Sequence, residues 1–164
     1  MIRSKEFLLK NVYDIRGKKL GVVEDLYIDF FKGIIIGLKI STHAFFSKKN
    51  CVFIDDIISI DKEILVKELK EGTGLRLQEV KGMDIIDLNG NLKGVVEDCI
   101  IDEVGLTIKG LVVSTGLIER LLKGKEVILI NECILGEDYV LYVGNKNVTL
   151  KSMPRKEEKN EVSN

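Results

Sequence analysis

The chain has no tryptophan, one proline, one histidine and three cysteines among its 164 residues. Each scarcity excludes something. The lone histidine, His43, has no obvious second group to orient it as a general base, although Ser41, Thr42 and Cys51 are near it in sequence. A loop histidine without a chemical role is the favoured reading. Three cysteines are an odd number with no Cys-x-x-Cys spacing, which argues against a disulfide framework. No apolar run approaches the roughly 18 residues that a membrane-crossing helix needs. Neither sign of charge dominates: 25 basic and 26 acidic side chains leave a formal charge of −1. No global pull toward nucleic acid or an anionic membrane is therefore expected. Arg3, Lys5 and Glu6 place charges where a signal peptide would carry its apolar core. The expectation is a soluble, cytoplasmic protein without a transmembrane segment.

What the chain does contain is a globular composition, 45% hydrophobic and 31% charged, and a repeat. Gly21-Val22-Val23-Glu24-Asp25 recurs as Gly94-Val95-Val96-Glu97-Asp98, at an offset of 73. Between Asp14 and Thr42, 14 of 29 positions are identical at that offset without a gap. Three residues are then inserted, and Phe53 to Ile58 matches Leu129 to Ile134 at an offset of 76. The organisation read from this is a first module over residues 1–70, a linker over 71–75, a second module over 76–150 and a flexible charged tail over 151–164. The tail holds Pro154 and almost nothing apolar.

Locally the pattern is β. Gly21 to Ile28 and Ile34 to Ile40 are β-branched runs of strand length, and Cys51 to Ile54, Ile57 to Ile60 and Ile64 to Val66 add shorter ones. Arg16-Gly17 and Asn89-Gly90 supply turn chemistry. So many short strands in so few residues predict a mainly β fold in which each module curls into a small closed barrel. Modules this small are marginal alone, so the two are expected to pack on each other.

At these residues the chain resembles the PRC-barrel family, named for the cytoplasmic domain of the photosynthetic reaction centre H subunit. The resemblance rests on Asp14-Ile15-Arg16-Gly17-Lys18-Lys19-Leu20-Gly21-Val22-Val23-Glu24-Asp25, Gly37-Leu38 and Asp56-Ile57-Ile58. The second copy reads Asp87-Leu88-Asn89-Gly90-Asn91-Leu92-Lys93-Gly94-Val95-Val96-Glu97-Asp98, Gly110-Leu111 and Glu132-Cys133-Ile134. There the leucine is displaced by one place. The resemblance implies a tandem pair of small adaptor barrels with no catalytic residue, of a kind familiar in spore-forming bacteria. The family also includes the C-terminal domain of a ribosome maturation factor. Neither that job nor the photosynthetic one is carried over, because the companion segments are not found here.

The two copies serve as controls for one another. Cys51, Cys99 and Cys133 align with Val127, Leu26 and Ile57, so all three read as buried structural thiols. Glu24, Asp25 and Asp29 recur as Glu97, Asp98 and Asp102, weak candidates for a hard cation. They lack the calcium-loop spacing of an EF-hand, and Asp25 and Asp98 read better as supports of a turn or bulge. Gly72-Thr73-Gly74 opens no obvious helix and is no dinucleotide fingerprint. With no convergent acid, base or nucleophile set, no enzyme and no cofactor are expected.

Differences between the copies mark candidate specificity. Residues 1–70 hold 13 basic and 10 acidic side chains and residues 71–150 hold 8 and 13, giving the halves net charges of +3 and −5. Phe30-Phe31 and Phe45-Phe46 have no aromatic counterparts in copy two and are the candidate partner-binding residues, although an inter-module contact or a place in the barrel core is the favoured reading. Leu117, Ile118, Leu121 and Leu122 lie at helical spacing, which predicts a short helix near 117–123. The expected function is a non-catalytic adaptor that docks onto another protein, with a homodimer also open. DNA is not an expected partner, and RNA is one only indirectly. The alternatives are an RNA-metabolism or ribosome-maturation factor, and a metal or small-ligand sensor.

Overall fold

The structure is a computed structural model that describes residues 1–42, 47–116, 125–144 and 150–152. Copy one contributes β1 (Ile2–Arg3), β2 (Asn11–Asp14), β3 (Lys19–Asp29), β4 (Ile34–Thr42), β5 (Lys49–Phe53), β6 (Ile57–Ile60), β7 (Ile64–Val66) and β8 (Lys70–Glu71). Copy two contributes β9 (Asp84–Asp87), β10 (Leu92–Asp102), β11 (Thr107–Ser114), β12 (Lys125–Leu129), β13 (Cys133–Leu135), β14 (Tyr139–Tyr142) and β15 (Leu150–Ser152). Between the strands lie a four-residue helix, α1 (Leu77–Val80), and three 3-10 turns at Ser4–Glu6, Ile54–Asp56 and Ile130–Glu132. Among the described residues no helix is long and apolar enough to cross a membrane. The mainly β expectation holds.

The copies repeat each other pair by pair. β3 and β10 are the long central strands, each hairpinned to β4 and β11. β2 runs parallel to β7 with Val12 beside Ile64, and β9 runs parallel to β14 with Ile85 beside Val140. Both long strands bulge at the same place. Register slips between Val23 and Asp25 and again between Val96 and Asp98. Gly21 and Gly94 open these strands because no Cβ fits. One built on Gly21 would lie 2.2 Å from the Ser41 carbonyl oxygen, and one on Gly94 2.5 Å from that of Ser114.

The two copies pack on each other, as expected, and do so in two ways. First, the ladder does not stop at a module boundary. It runs β13-β14-β9-β10-β11-β4-β3-β2-β7-β6 and crosses between copies where Thr107 of β11 pairs antiparallel with Ile34 of β4. These two residues occupy the same position in the repeat, so a pseudo-two-fold axis passes between them. The amide of Ile35 donates to Leu106 and that of Ile108 to Gly33, completing the symmetric seam. Second, side chains of both copies belong to one continuous buried cluster, from Phe7, Leu26 and Leu38 to Ile85, Ile101 and Leu111. A seam that buries apolar surface from both sides supplies what a module of this size lacks alone.

The copies also exchange their leading turns. β1 pairs with β10, placing Ile2 against Ile101 and Arg3 against Ile100. Reciprocally, the amide of Ile28 donates to Leu75, Tyr27 bridges to Arg76, and α1 packs on β3. Residues 71–75, expected as a linker, are therefore part of the fold. Glu71 ends β8, which pairs with β5, and Leu75 packs on the shared core. At the start of the expected tail, β15 carries Lys151 and Ser152 alongside β12. The helix expected near 117–123 and residues 153–164 lie outside the described residues.

Candidate docking surface

The repeated acids are used by the backbone. Each bulge leaves Glu24 or Glu97 as the extra residue and turns the next carboxylate inward. Asp25 accepts the amide of Leu26 at 2.8 Å, and Asp98 that of Cys99 at 2.9 Å. Both carboxylates then receive the exchanged turn of the other copy. Asp25 takes the Gln78 amide at 3.3 Å, and Asp98 takes the Ser4 hydroxyl and the Arg3 guanidinium at 2.9 Å, with Lys81 of its own copy adding an ammonium at 3.2 Å. The sequence reading of this pair as bulge supports is correct. Asp29 accepts the Lys32 amide at 3.0 Å and Asp102 the Val104 amide at 3.2 Å, capping the tips of the two long hairpins. The weak cation candidates Glu24, Asp25, Asp29, Glu97, Asp98 and Asp102 are thus spread over two bulges and two tips. Among the described residues no three acidic, histidine or cysteine side chains converge as a metal cage.

Environment separates the twin aspartates. Burial raises the pKa of Asp25, and the amides of Leu26 and Gln78 only partly offset it. Burial also pushes Asp98 upward, but the Ser4 hydroxyl, Lys81, the Cys99 amide and Arg3 together outweigh it and hold the carboxyl below its ordinary value. The three cysteines are free and buried, as their apolar counterparts implied. Burial pushes Cys51 up to about 11, and Cys99 and Cys133 up to about 12, which favours the neutral thiol at each.

The aromatic candidates divide. Phe30 is only 3% exposed and belongs to the shared core, so for this residue the core reading holds and the partner-surface candidate is corrected. Its neighbour Phe31 is 78% exposed and meets the Phe30 ring edge-to-face, 6.3 Å between centroids. His43, Phe45 and Phe46 lie outside the described residues. Comparison of the copies adds residues that the search for aromatics missed. Val104, the counterpart of Phe31, is 93% exposed. Ile15 and Leu88 at the first hairpin tips, and Ile58 and Ile134 on the terminal strands β6 and β13, are exposed in matching pairs. An unexplained exposed apolar residue is ordinary, but the same exposure kept in both copies is a pattern.

Two grooves flank the pseudo-two-fold seam, at equivalent places. One, of about 530 Å³, has Ile108, Leu129 and Ile130 in its wall and the Lys32-Gly33 tip of copy one across from them. The other, of about 560 Å³, has Ile35, Phe53 and Ile54 and the Val104-Gly105-Leu106 tip of copy two. Each groove is thus built by one copy and lipped by the hairpin tip of the other. Its shape exists only because β4 and β11 pair. The result is a broad, shallow, paired apolar surface with charges at its rim.

Residues 1–73 match the family model described as the PRC-barrel domain. No curated protein matches the chain.

Proposed function

Taking the PRC-barrel match over residues 1–73 as the premise, we propose that the chain is a non-catalytic adaptor that docks onto another protein, and that residues 76–150 form a second module of the same kind. The observation that carries this reading is the pair of exposed tips, Phe31 and Val104, each beside a groove built by the opposite copy. Exposed apolar anchors next to partly enclosed apolar surface are the usual ingredients of an interface core. In support, among the described residues the thiols are buried and the repeated acids Asp25 and Asp98 accept backbone amides.

The test is a pull-down with the full chain, quantified against a Phe31→Ala/Val104→Ser variant. One stoichiometric protein partner is expected with the parent chain and not with the variant, both melting alike. A partner retained by the variant, or none with either, counts against these tips as the docking surface.

A further inference from the structure

The two grooves share their apolar wall but not their polar lining. Ile108 and Ile130 in one answer to Ile35 and Ile54 in the other. The polar positions do not correspond. Lys32, Thr107, Lys109 and Asn131 of the first groove stand where the second has Gly105, Ile34, Ile36 and Asp55. Symmetry makes this an internal control. Both grooves meet the same demands of folding, so two ammonium groups, a hydroxyl and an amide on one side are not required by the fold.

The basic groove is also primed for exchange. Lys32 is held by Asp29 at 3.1 Å and Lys109 by Asp102 at 3.6 Å, and both lysines are substantially exposed. Such exposed pairs are weak and give way to an incoming carboxylate. The Thr107 hydroxyl oxygen is buried and has no hydrogen-bond partner in the structure, whereas its counterpart Ile34 carries no polar atom to satisfy there.

Building on the docking reading above, we propose that this groove, and not its twin, receives a segment of the partner protein with apolar side chains flanked by acidic ones. The apolar side chains lie on Ile108, Leu129 and Ile130, and the acids meet Lys32 and Lys109. Asp55 in the other groove would repel the same segment, which sets its orientation across the pseudo-two-fold axis.

The experiment is a selection of random dodecapeptides on the immobilised full chain, followed by affinity measurement against two variants. Lys32→Glu/Lys109→Glu reverses the rim charge, and Lys109→Ile/Asn131→Asp copies the lining of the other groove. Enriched peptides should combine apolar residues with Asp or Glu, and their affinity should fall about tenfold in either variant and weaken with salt. Enrichment of basic or uncharged peptides, no enrichment, or unchanged affinity in both variants overturns the proposal. The two readings separate in the pull-down. A partner kept by Lys32→Glu/Lys109→Glu but lost by Phe31→Ala/Val104→Ser leaves the adaptor standing without this groove.

Discussion

Asp98 accepts the guanidinium of Arg3 at 2.9 Å, a contact between residues 95 apart that ties the start of copy one to the middle of copy two. Its twin, Asp25, makes the reciprocal contact through the amide of Gln78 instead. The same fold position is therefore charge-paired in one copy and amide-bound in the other.

Opposite responses to removing the charge follow. Asp98→Asn leaves Lys81 without its counter-ion and Arg3 with Glu97 alone, at 3.3 Å, and should cost about 2 kcal/mol after allowing for their partial exposure. Asp25→Asn keeps an acceptor for Leu26 and Gln78 and removes a buried charge, so it should change stability by no more than about 0.5 kcal/mol. Linkage gives the pH signs. Asp98, with its pKa lowered in the folded chain, adds stability at pH above the unfolded carboxylate value, and that stability is lost as pH falls through the folded one. Asp25, with its pKa raised, acts the other way: folding gains as pH falls through its folded value toward the unfolded one. Urea midpoints followed from neutral pH to below the ordinary carboxylate value should show Asp25→Asn steepening the acid loss above that value and Asp98→Asn flattening it below.

Leu9 adopts a φ of +66° where the other copy has Gly82 at +86°. A leucine pays for this left-handed conformation and a glycine does not. Leu9 is exposed, so its side chain contributes little packing. Leu9→Gly should raise stability by about 0.5 kcal/mol once the entropy of the extra glycine is counted. Gly82→Leu should lower it by about 1 kcal/mol, although nothing lies within 4 Å of a Cβ there. Equal and unchanged melting temperatures would show that the backbone at this position is not held left-handed.

Much of the fold is legible in one sequence because the repeat shows it twice. The matched Gly-Val-Val-Glu-Asp segments marked both long strands, and their shared aspartates marked both bulges. The exchange of leading turns was not read, although Arg3…Glu6 and Arg76…Glu79 keep the same offset of 73. Both pairs close the same turn, with the Arg3 amide 3.1 Å from Glu6 and the Arg76 amide 2.9 Å from Glu79. A repeat reveals like positions but not which copy each one touches, since that choice is made by long-range burial. Phe30 and Phe31 were indistinguishable for a related reason: adjacent residues at a strand end point opposite ways, and only the neighbouring copy decides which side is core. The groove lining was legible only as scattered differences until the seam between Ile34 and Thr107 brought them together.

Close approach and left-handed backbone can be separated at two glycines. Gly94 has φ +144°, and a Cβ there would sit 2.5 Å from Ser114 oxygen and 2.8 Å from Val113 Cγ1. Gly90 has φ +81° at a hairpin tip, with open space around it. Gly94→Ala should cost about 3 kcal/mol or more by forcing β10 off β11. Gly90→Ala should cost only about 1 kcal/mol, the conformational part alone. In thermal melts the first should fall by several times the shift of the second, and equal shifts would refute the steric account.

The cysteines report the shared core directly. Cys99 is fully buried on the central strand β10, Cys51 is fully buried on β5, and Cys133 is slightly accessible on the terminal strand β13. Cys133 Sγ lies 3.3 Å from the Leu129 carbonyl oxygen, to which its thiol donates. Burial that lifts their pKa to about 11 or 12 keeps them protonated in mild alkali, where an exposed cysteine would react. A thiol reagent should therefore label the native chain slowly and the urea-unfolded chain at all three positions at once. Because opening is cheapest at an edge, Cys133 should react first in the native chain and Cys99 last. Peptide mapping of the labelled sites over time gives the order. Prompt labelling of Cys99 would mean that β10 is not the centre of a core held in common by the two copies.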